Sequence, residues 1–239
     1  MKKLFWGLAL IVTVSFIGIM SGCGAVSSSE TTTSTSAATT TTTATTTTLL
    51  TLTAEYFPNT NGNNWTYKAT LYDSAWTTPT LEGTAEVVFN GTRVLPDGIK
   101  IAQVLINTSN IPPMLSTMET YLIATNSEVK EYGDSAFSPT SEASQVDLVF
   151  PSVAGDKWIF SPSSGITSEA LSQESVTVPA GTYDCFKVTF IQPASFGSSN
   201  IDSRWYAKNV GIVKQIKMNC DASGEVINSQ TLELRSKNT

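Results

Sequence analysis

Two segments of the chain follow one eleven-residue pattern, F-P-x-x-x-G-x-x-W-x-(Y/F). Residues 57–67 read FPNTNGNNWTY, and residues 150–160 read FPSVAGDKWIF. The shared positions form no catalytic motif, but they are residue types that shape turns and fill cores. We therefore interpret the pattern as a folding element that two parts of the chain both need. In this interpretation Trp65 and Trp158 each fill one end of a β-sheet.

The other shared positions direct the backbone into the next strand. Pro58 and Pro151 are expected to end the preceding strand, because proline has no N–H to donate to a strand ladder. Gly62 and Gly155 are expected to provide a turn with positive φ. The tryptophan three residues later then faces the core, and an aromatic residue two positions further lies on the same face of the strand.

The chain from Leu52 to Thr239 predicts a mainly β fold. Its Thr, Val, Ile and aromatic residues alternate with polar residues at a period of two. Asn90-Gly91 follows one such run and predicts a two-residue hairpin. We expect little helix and one antiparallel sheet that is strongly curved or forms an open half-barrel. The predicted strands are 64–73, 81–89, 92–95, 98–107, 120–125, 128–132, 182–192, 203–207, 211–218 and 226–234.

Further landmarks recur in the same order and at similar spacing. The strand-opening sequences LPDG and VPAG, and the longer YLIATNSEVKEY and WYAKNVGIVKQI, lie at residues 95–98, 178–181, 121–132 and 205–216. Together with the eleven-residue pattern they predict two similar halves, at about 55–140 and 148–220. The alternative is that unrelated strands have converged on the same turn chemistry.

The first 22 residues predict a signal peptide. Lys2 and Lys3 precede an uncharged apolar stretch that ends in small residues before Cys23, which is typical of a secretory leader. A membrane-spanning helix is the alternative, although the stretch is at the short limit of the spanning range. Met-Ser-Gly-Cys resembles the bacterial lipobox, in which the cysteine is acylated. Two or more acyl chains on Cys23, such as palmitate, would anchor the chain stably to membrane lipid.

Three segments follow from this interpretation. Residues 1–22 are the signal peptide, residues 23–51 are the lipidated cysteine with a disordered tether, and residues 52–239 are the β-domain. The tether is almost entirely Thr, Ser and Ala. Such a segment has too few large apolar side chains for their burial to offset the conformational entropy that folding would cost. We expect an extracytoplasmic location at the cell envelope. Gly24 lacks the charge of an inner-membrane retention signal, which favours the outer membrane if the cell is Gram-negative.

Composition excludes several classes of function. The chain has 14 Lys and Arg against 20 Asp and Glu. Removal of Lys2 and Lys3 leaves 12 against 20, which is a mature charge of about −8, so nucleic acid is a poor partner. The chain contains no histidine, the commonest general base and metal ligand. The Asn-rich loop 59–64 has no carboxylate for calcium. We expect no metal and no cofactor.

Cys185 and Cys220 are the two cysteines that remain after lipidation of Cys23. An exported domain with two thiols predicts one disulfide between them. The alternative is a pair of buried free thiols.

Candidate catalytic and binding residues are few. Asp147, Asp156 and Asp202 are scattered and belong to no signature, so we expect no enzyme. A carboxylate-dependent hydrolase is the weaker alternative. Lys214 is expected to face solvent or to extend its charged end to it from a partly buried stem, and a functional role is the alternative. The strand Tyr183–Ile191 has one core face (Phe186, Val188 and Phe190) and one amphipathic face (Cys185, Lys187 and Thr189), and the second could line a concave groove for an apolar ligand.

Three motifs, FPNTNGNNWTY, VPAGTYDCFKV and WYAKNVGIVK, resemble a broad group of uncharacterised bacterial exported proteins and lipoproteins. The resemblance covers residues 56–217, and Asn209 replaces the Pro or Gly that is frequent before Val-Gly in the third motif. It implies an antiparallel domain of unknown function, similar to the half-barrel of lipoprotein carriers, and no known activity.

The sequence therefore predicts a membrane-anchored lipoprotein that presents a non-catalytic β-domain with a structural or interaction role. Its partner would be an unidentified envelope protein. The main alternative is a carrier for an apolar or amphipathic ligand, which would require a cavity of several hundred Å³ lined by aromatic and aliphatic side chains.

The first prediction concerns the anchor. Replacing Cys23 with Ser removes the acylation site, so the variant should move from the membrane fraction to the soluble fraction. Fractionation of cells followed by immunoblotting measures this. Recovery of the wild type as a soluble, unlipidated secreted protein would contradict the predicted anchor.

Overall fold

The computed structural model describes residues 51–74, 78–95, 98, 100–110, 118–134, 145–161, 166–193 and 197–238. The signal peptide, Cys23 and nearly all of the predicted tether lie outside these residues. The described part contains one short 3-10 helix, Ala54–Tyr56, and twelve strands. No helix in this part is long and apolar enough to span a membrane. The strands are β1 (Asn64–Tyr72), β2 (Pro79–Val94), β3 (Lys100–Ser109), β4 (Met118–Ala124), β5 (Glu128–Asp134), β6 (Gln145–Val149), β7 (Lys157–Ser161), β8 (Ile166–Val178), β9 (Gly181–Pro193), β10 (Ser199–Ala207), β11 (Gly211–Cys220) and β12 (Val226–Asn238).

All twelve strands belong to one antiparallel sheet with the order β6-β5-β4-β3-β2-β1-β12-β11-β10-β9-β8-β7. Strands that follow one another along the chain are neighbours in the sheet, except β6 and β7, which lie at its two edges; β1 also pairs with β12. The sheet curves until it is nearly closed and barrel-like. The predicted fold class, mainly β with a single strongly curved antiparallel sheet, is confirmed.

The strand order divides the domain into two six-stranded meanders, β1–β6 and β7–β12. Each copy of the eleven-residue pattern leads into the first strand of a meander, with Trp65 in β1 and Trp158 in β7. LPDG precedes the third strand of one half and VPAG the third strand of the other. The two longer landmarks form the hairpins β4–β5 and β10–β11. The repeated landmarks therefore occupy equivalent strand positions in the two meanders.

The halves meet along two seams that differ in bonding. At the first seam, β1 and β12 form a ladder from Asn64↔Asn238 to Tyr72↔Ser229. At the second, β6 and β7 are the two edges of the sheet and share no ladder among the described residues. There the Trp158 indole Nε1 donates to the Val146 carbonyl at 3.1 Å. One seam is thus a continuous ladder and the other is joined by side chains.

The segment before β1 packs against one end of the barrel. Leu52 and Ser152 exchange two backbone hydrogen bonds of 2.7 and 3.1 Å. The Asn209 N–H, at a residue with a φ of 59°, donates to the Glu55 carbonyl at 2.7 Å. Tyr56 is buried, with its ring edge-on to Phe186 at 6.3 Å. This segment therefore joins the start of the domain to the β6–β7 connection and to the second half.

The two copies of the pattern have similar backbones and different surroundings. Gly62 and Gly155 have φ values of 91° and 99°, in the region that favours glycine. Trp65 is buried and donates to the Val210 carbonyl at 2.6 Å, whereas Trp158 is only half-buried. These differences follow from the position of β1 in the middle of the sheet and of β7 at its edge.

The prediction for the two prolines is right in one case. β6 ends at Val149, and Pro151 follows it after Phe150, so a strand does end just before this proline. Pro58 follows the 3-10 helix and a single further residue, so what ends just before it is a helical turn and not a strand.

The predicted hairpin at Asn90-Gly91 is wrong. β2 runs through both residues, and only its register to β3 shifts between Phe89 and Thr92. The loop before β1 extends the pairing here, because Gly62 N–H donates to the Phe89 carbonyl and Gly91 N–H donates to Asn61 Oδ1 at 2.6 Å. Gly91, with a φ of 92°, therefore serves a bulge and not a chain reversal.

The predicted disulfide is also wrong. Cys185 and Cys220 are buried free thiols. Cys185 pairs opposite Ala207 and Cys220 pairs opposite Ser199, at the two ends of β10. A nine-residue strand separates such positions by about 26 Å, whereas a disulfide needs Cα atoms within about 7 Å.

Two clusters of buried side chains join the halves. Each contains residues from both meanders and both include long aromatic side chains. The first includes Trp65, Tyr67, Phe89, Trp205, Val213 and Leu234. The second includes Tyr56, Phe150, Phe160, Phe186, Phe190 and Tyr206.

Because these clusters are shared, we expect the domain to unfold in a single transition. Trp65→Ala should lower its stability by about 3–5 kcal/mol, the usual range for a fully buried tryptophan. Trp158→Ala should cost less, roughly 1–3 kcal/mol, because the ring is half-buried and one hydrogen bond is lost. Calorimetry of both variants measures this. Two separate transitions, each sensitive to one tryptophan, would contradict the shared core.

Candidate functional site

The fold brings two of the three candidate acids together. Asp147 lies on the edge strand β6 and Asp202 on β10, and Arg204 joins them. Asp156 lies apart in the β6–β7 connection, where its carboxylate accepts from the Val153 N–H at 2.8 Å. Asp147 and Asp202 therefore define the candidate site, and Asp156 has a local role in a turn.

Arg204 is the centre of this polar cluster. Its Nε and Nη2 donate to Asp202 Oδ2 at 3.0 and 2.9 Å, and its Nη1 lies 3.5 Å from Asp147 Oδ2. The guanidinium also stacks over the Phe190 ring, 4.4 Å from its centroid. Since β6 and β10 are not neighbours in the sheet, this ion pair crosses the inner face from one half to the other.

Both carboxylate oxygens of Asp202 accept hydrogen bonds. The Gln215 side-chain amide donates to both of its carboxylate oxygens, at 2.8 and 3.0 Å. Burial alone would raise the pKa of Asp202, but the positive charges of Arg204 and Lys217 outweigh it and lower the pKa. Asp202 is therefore held as a carboxylate.

The other two acids of the cluster favour the protonated form more than usual. Burial raises the pKa of Asp147, and the negative charge of Asp202 adds to this against the opposing charge of Arg204. Burial and the charge of Asp147 raise the pKa of Glu131 to about 7, although its Oε1 accepts from the Thr120 hydroxyl at 2.8 Å. Fully ionised, the three acids would carry more negative charge than Arg204 neutralises, and the raised pKa of Asp147 and of Glu131 reduces that excess.

Several buried polar atoms around the cluster have no hydrogen-bond partner among the described residues: Asp147 Oδ1, Ser168 Oγ and Gln230 Nε2. The ladder registers place Ser168 and Gln230 on the same sheet face as Asp202, because Ser168 pairs with Phe190, Phe190 with Asp202, Asp202 with Lys217, and Lys217 with Gln230. Buried polar atoms normally have partners, so these three atoms are exceptions within the described part of the chain.

The amphipathic face of β9 is not an open groove. Cys185 and Thr189 are buried, and the Thr189 and Ser203 hydroxyls are hydrogen-bonded at 2.9 Å. Lys187 Nζ lies 4.8 Å from the centroid of the Trp205 ring, which covers the middle of this face. Lys214, expected to face solvent, is 25% exposed and lies 3.3 Å from Glu233.

Two depressions in the described part of the chain bear on the carrier alternative. The larger, of about 210 Å³, is lined by Tyr56, Gln173, Glu174, Ser175, Asp184 and Cys185. The smaller, of about 90 Å³, lies beside Phe57 and Phe150. Neither reaches the several hundred Å³ of an apolar ligand chamber. Burial raises the pKa of the Cys185 thiol to about 12, so this thiol is a poor nucleophile.

Within the described ranges, no three Asp, Glu or Cys side chains are grouped so that they could hold a metal ion. The positive charge of Arg204 beside Asp147 and Asp202 also disfavours a cation with several carboxylate ligands. The site therefore offers hydrogen bonding and charge, and no metal-ligand set.

Sequence reasoning missed Arg204 and Glu131. The useful signal for Arg204 is the alternation Asp202, Arg204, Tyr206, which puts an acid, a base and a phenol on one face of a buried strand. Glu131 belongs to the YLIATNSEVKEY landmark and carries no signal of its own, because its neighbour Asp147 lies on another strand.

A family model described as DUF3108-like matches residues 167–233. This region includes nearly all of β8, most of β12 and the strands between them, and it contains the VPAGTYDCFKV and WYAKNVGIVK motifs. The FPNTNGNNWTY motif lies outside it. The resemblance to a domain of unknown function is therefore supported over the second half of the fold. No curated protein matches the chain.

Two solved structures are similar to this chain, and each comparison covers 77% of this chain and 98% of the other. One is a Bacteroides fragilis protein described as exported, with a YmcC-like fold, at 15% identity and a TM-score of 0.46. The other is a Parabacteroides distasonis protein described as a lipoprotein, at 19% identity and a TM-score of 0.42.

The pKa of Glu131 predicts how stability depends on pH. The folded-state pKa of about 7 exceeds the ordinary value of 4.5, so the folded protein binds more protons between these values. Stability should therefore fall as pH rises through this window. Glu131→Gln should reduce the slope and stabilise the protein at pH 8 by about 1–2 kcal/mol, while Asp147 retains its own contribution.

Thermal unfolding of wild type and Glu131→Gln at several pH values measures this difference. Glu86→Gln is the matched control, because Glu86 is exposed on β2 and should follow the wild type. Parallel curves for wild type and Glu131→Gln would show that Glu131 titrates with its ordinary pKa.

Proposed function

We propose that the chain is an exported lipoprotein, anchored to membrane through acylated Cys23, whose β-domain has a structural or interaction role at the cell envelope without catalysis. The leader, the Met-Ser-Gly-Cys sequence and the Thr-rich tether support the anchor. The domain lies on the extracytoplasmic side of the membrane, at the outer membrane if the cell is Gram-negative. Its partner is an envelope protein and not nucleic acid, given the excess of acidic residues.

The main support for this proposal is that side chains fill the inner face of the barrel. The two core clusters draw side chains from both halves, and the Arg204–Asp147 ion pair spans the space between β10 and β6. A carrier of an apolar ligand needs a preformed apolar cavity, and an ionic bridge across the inner face is unfavourable for such a ligand because its charges would lose their solvation. The geometry therefore supports a scaffold better than a lipid carrier.

The arrangement of the acids supports a role without catalysis. A hydrolase of the two-carboxylate type needs both acids to face a substrate cleft. Asp202 is saturated by Arg204 and Gln215, and the side chain of Asp147 is only 8% exposed. Neither acid is presented to the 210 Å³ depression, whose lining contains neither of them.

The test is an analysis of the lipids bound to purified protein. The Cys23→Ser form should be extracted with organic solvent and examined by mass spectrometry, because it has no covalent lipid of its own. We expect substoichiometric lipid, since the interior is occupied by side chains. Near-stoichiometric lipid of one class would overturn the proposal in favour of a carrier. The wild-type protein is the positive control, because its acylated Cys23 peptide shows that lipid is detected.

A further inference from the structure

The structure places the two Asn-Gly pairs of the sequence side by side. Asn61-Gly62 belongs to the loop before β1, and Asn90-Gly91 belongs to the bulge in β2. The Gly91 N–H donates to Asn61 Oδ1 at 2.6 Å, and the Gly62 N–H donates to the Phe89 carbonyl at 2.9 Å. Each glycine nitrogen is therefore held by a hydrogen bond to the segment that contains the other pair.

Asparagine followed by glycine is the dipeptide that most readily loses its side-chain amide. The glycine nitrogen attacks the asparagine Cγ, and this nitrogen is little hindered because glycine has no side chain. The nitrogen gives up its proton to water, ammonia leaves, and the new N–Cγ bond closes a succinimide ring. Water then adds to one of the two ring carbonyls and breaks the bond from that carbon to nitrogen, which gives aspartate or isoaspartate. The reaction is a hydrolysis and needs no oxidant or cofactor.

The surroundings of Asn90 leave room for this reaction. Asn90 is exposed, and the pairing of β2 with β3 skips from Phe89 to Thr92, so this ladder does not fix the Asn90-Gly91 peptide. A Cβ built on Gly91 would meet no other atom within 4 Å. The bulge thus offers space for the succinimide and for the extra backbone carbon of isoaspartate. The hydrogen bond to Asn61 Oδ1 is a restraint on the Gly91 nitrogen.

The nitrogen of Gly62 is held more firmly than that of Gly91. Phe89 accepts from the Gly62 N–H and donates its own N–H to the Asn63 carbonyl at 3.0 Å. The Phe89 ring is 4% exposed and packs edge-on against Trp65 at 5.6 Å, so the core supports this backbone pairing. Gly91 is held by one exposed side chain. Of the two asparagines, Asn90 is therefore the one whose protection is easier to lose.

We propose that Asn90 is a deamidation site whose rate is controlled by the side chain of Asn61. While Asn61 Oδ1 accepts from the Gly91 N–H, attack on the Asn90 Cγ is slow. When this side chain moves away, Asn90 converts to aspartate or isoaspartate and adds a negative charge to the surface of the bulge. Isoaspartate formation at Asn61 shifts its side chain, so modification of Asn61 accelerates that of Asn90. This inference does not depend on the proposed envelope function.

The experiment measures the deamidation rate of Asn90 in the folded mature protein at pH 8 and 37 °C over several weeks. Peptide mapping by mass spectrometry, with aspartate and isoaspartate peptides separated, quantifies the products. Asn61→Ala removes the acceptor and should raise the rate about two- to tenfold, the factor for one lost hydrogen bond. Asn61→Asp keeps an acceptor oxygen and should match the wild type. Equal rates in these two variants would overturn the proposal.

Two controls separate this contact from a general loosening of the loop. Asn59→Ala removes a 3.5 Å contact to the Ala124 carbonyl in the same loop and should leave the Asn90 rate unchanged. An acceleration equal to that of Asn61→Ala would overturn the role of Asn61. In urea all four proteins should deamidate Asn90 at one common rate that exceeds the folded wild-type rate. A folded wild type as fast as the unfolded chain would overturn the proposal even if Asn61→Ala does not fold.

Discussion

The ladder between β1 and β12 is the constraint on which the rest of the domain depends. It joins the first strand of one meander to the last strand of the other, so neither half completes its sheet without the full length of the chain. Trp65 and Tyr67 on β1 extend this dependence into the core, where they donate to the Val210 and Ile212 carbonyls of the second half. The two cores are shared for the same reason, and a six-stranded piece alone would leave one face of each cluster in water.

The inner face combines this apolar core with a costly polar cluster. Burying charged groups is unfavourable unless each is paired and hydrogen-bonded, and Asp202 meets this condition through Arg204 and Gln215. Asp147 meets it only in part, because its contact with Arg204 is long at 3.5 Å and one of its oxygens has no partner in the described part of the chain. A charged group that is paired only in part adds little to stability by itself, and the shown role of Asp147 is its contact with Arg204 across the seam.

Strands whose apolar and polar residues alternate could be predicted from the sequence. The other features of the fold depend on pairing between residues that are far apart in the chain. The alternation of Trp65, Tyr67 and Ala69 on β1 is visible in the sequence, and so is that of Phe186, Val188 and Phe190 on β9. β8 was missed because its Ser- and Glu-rich sequence has low strand propensity, and it is a strand because β7 and β9 pair with both of its edges. The Asn90-Gly91 bulge and the separation of Cys185 from Cys220 depend on partners far away in sequence. The polar cluster was invisible for the same reason, since Asp147, Glu131 and Arg204 come from three strands.

The open seam explains why one sequence pattern gives two different tryptophan environments. If the halves were related by perfect two-fold symmetry, β7 would pair with β6 as β1 pairs with β12. The strands at this seam are instead five residues long, and the chain passes between them through Pro151. Short edge strands and proline limit pairing with other chains, but they also leave the edges without a ladder.

Three contacts from different parts of the chain replace it: Trp158 with Val146, Arg204 with Asp147, and Leu52 with Ser152. The half-buried Trp158 therefore bridges the seam by its hydrogen bond to Val146, whereas Trp65 fills the core. The same eleven-residue pattern serves both positions because it fixes only how a strand begins.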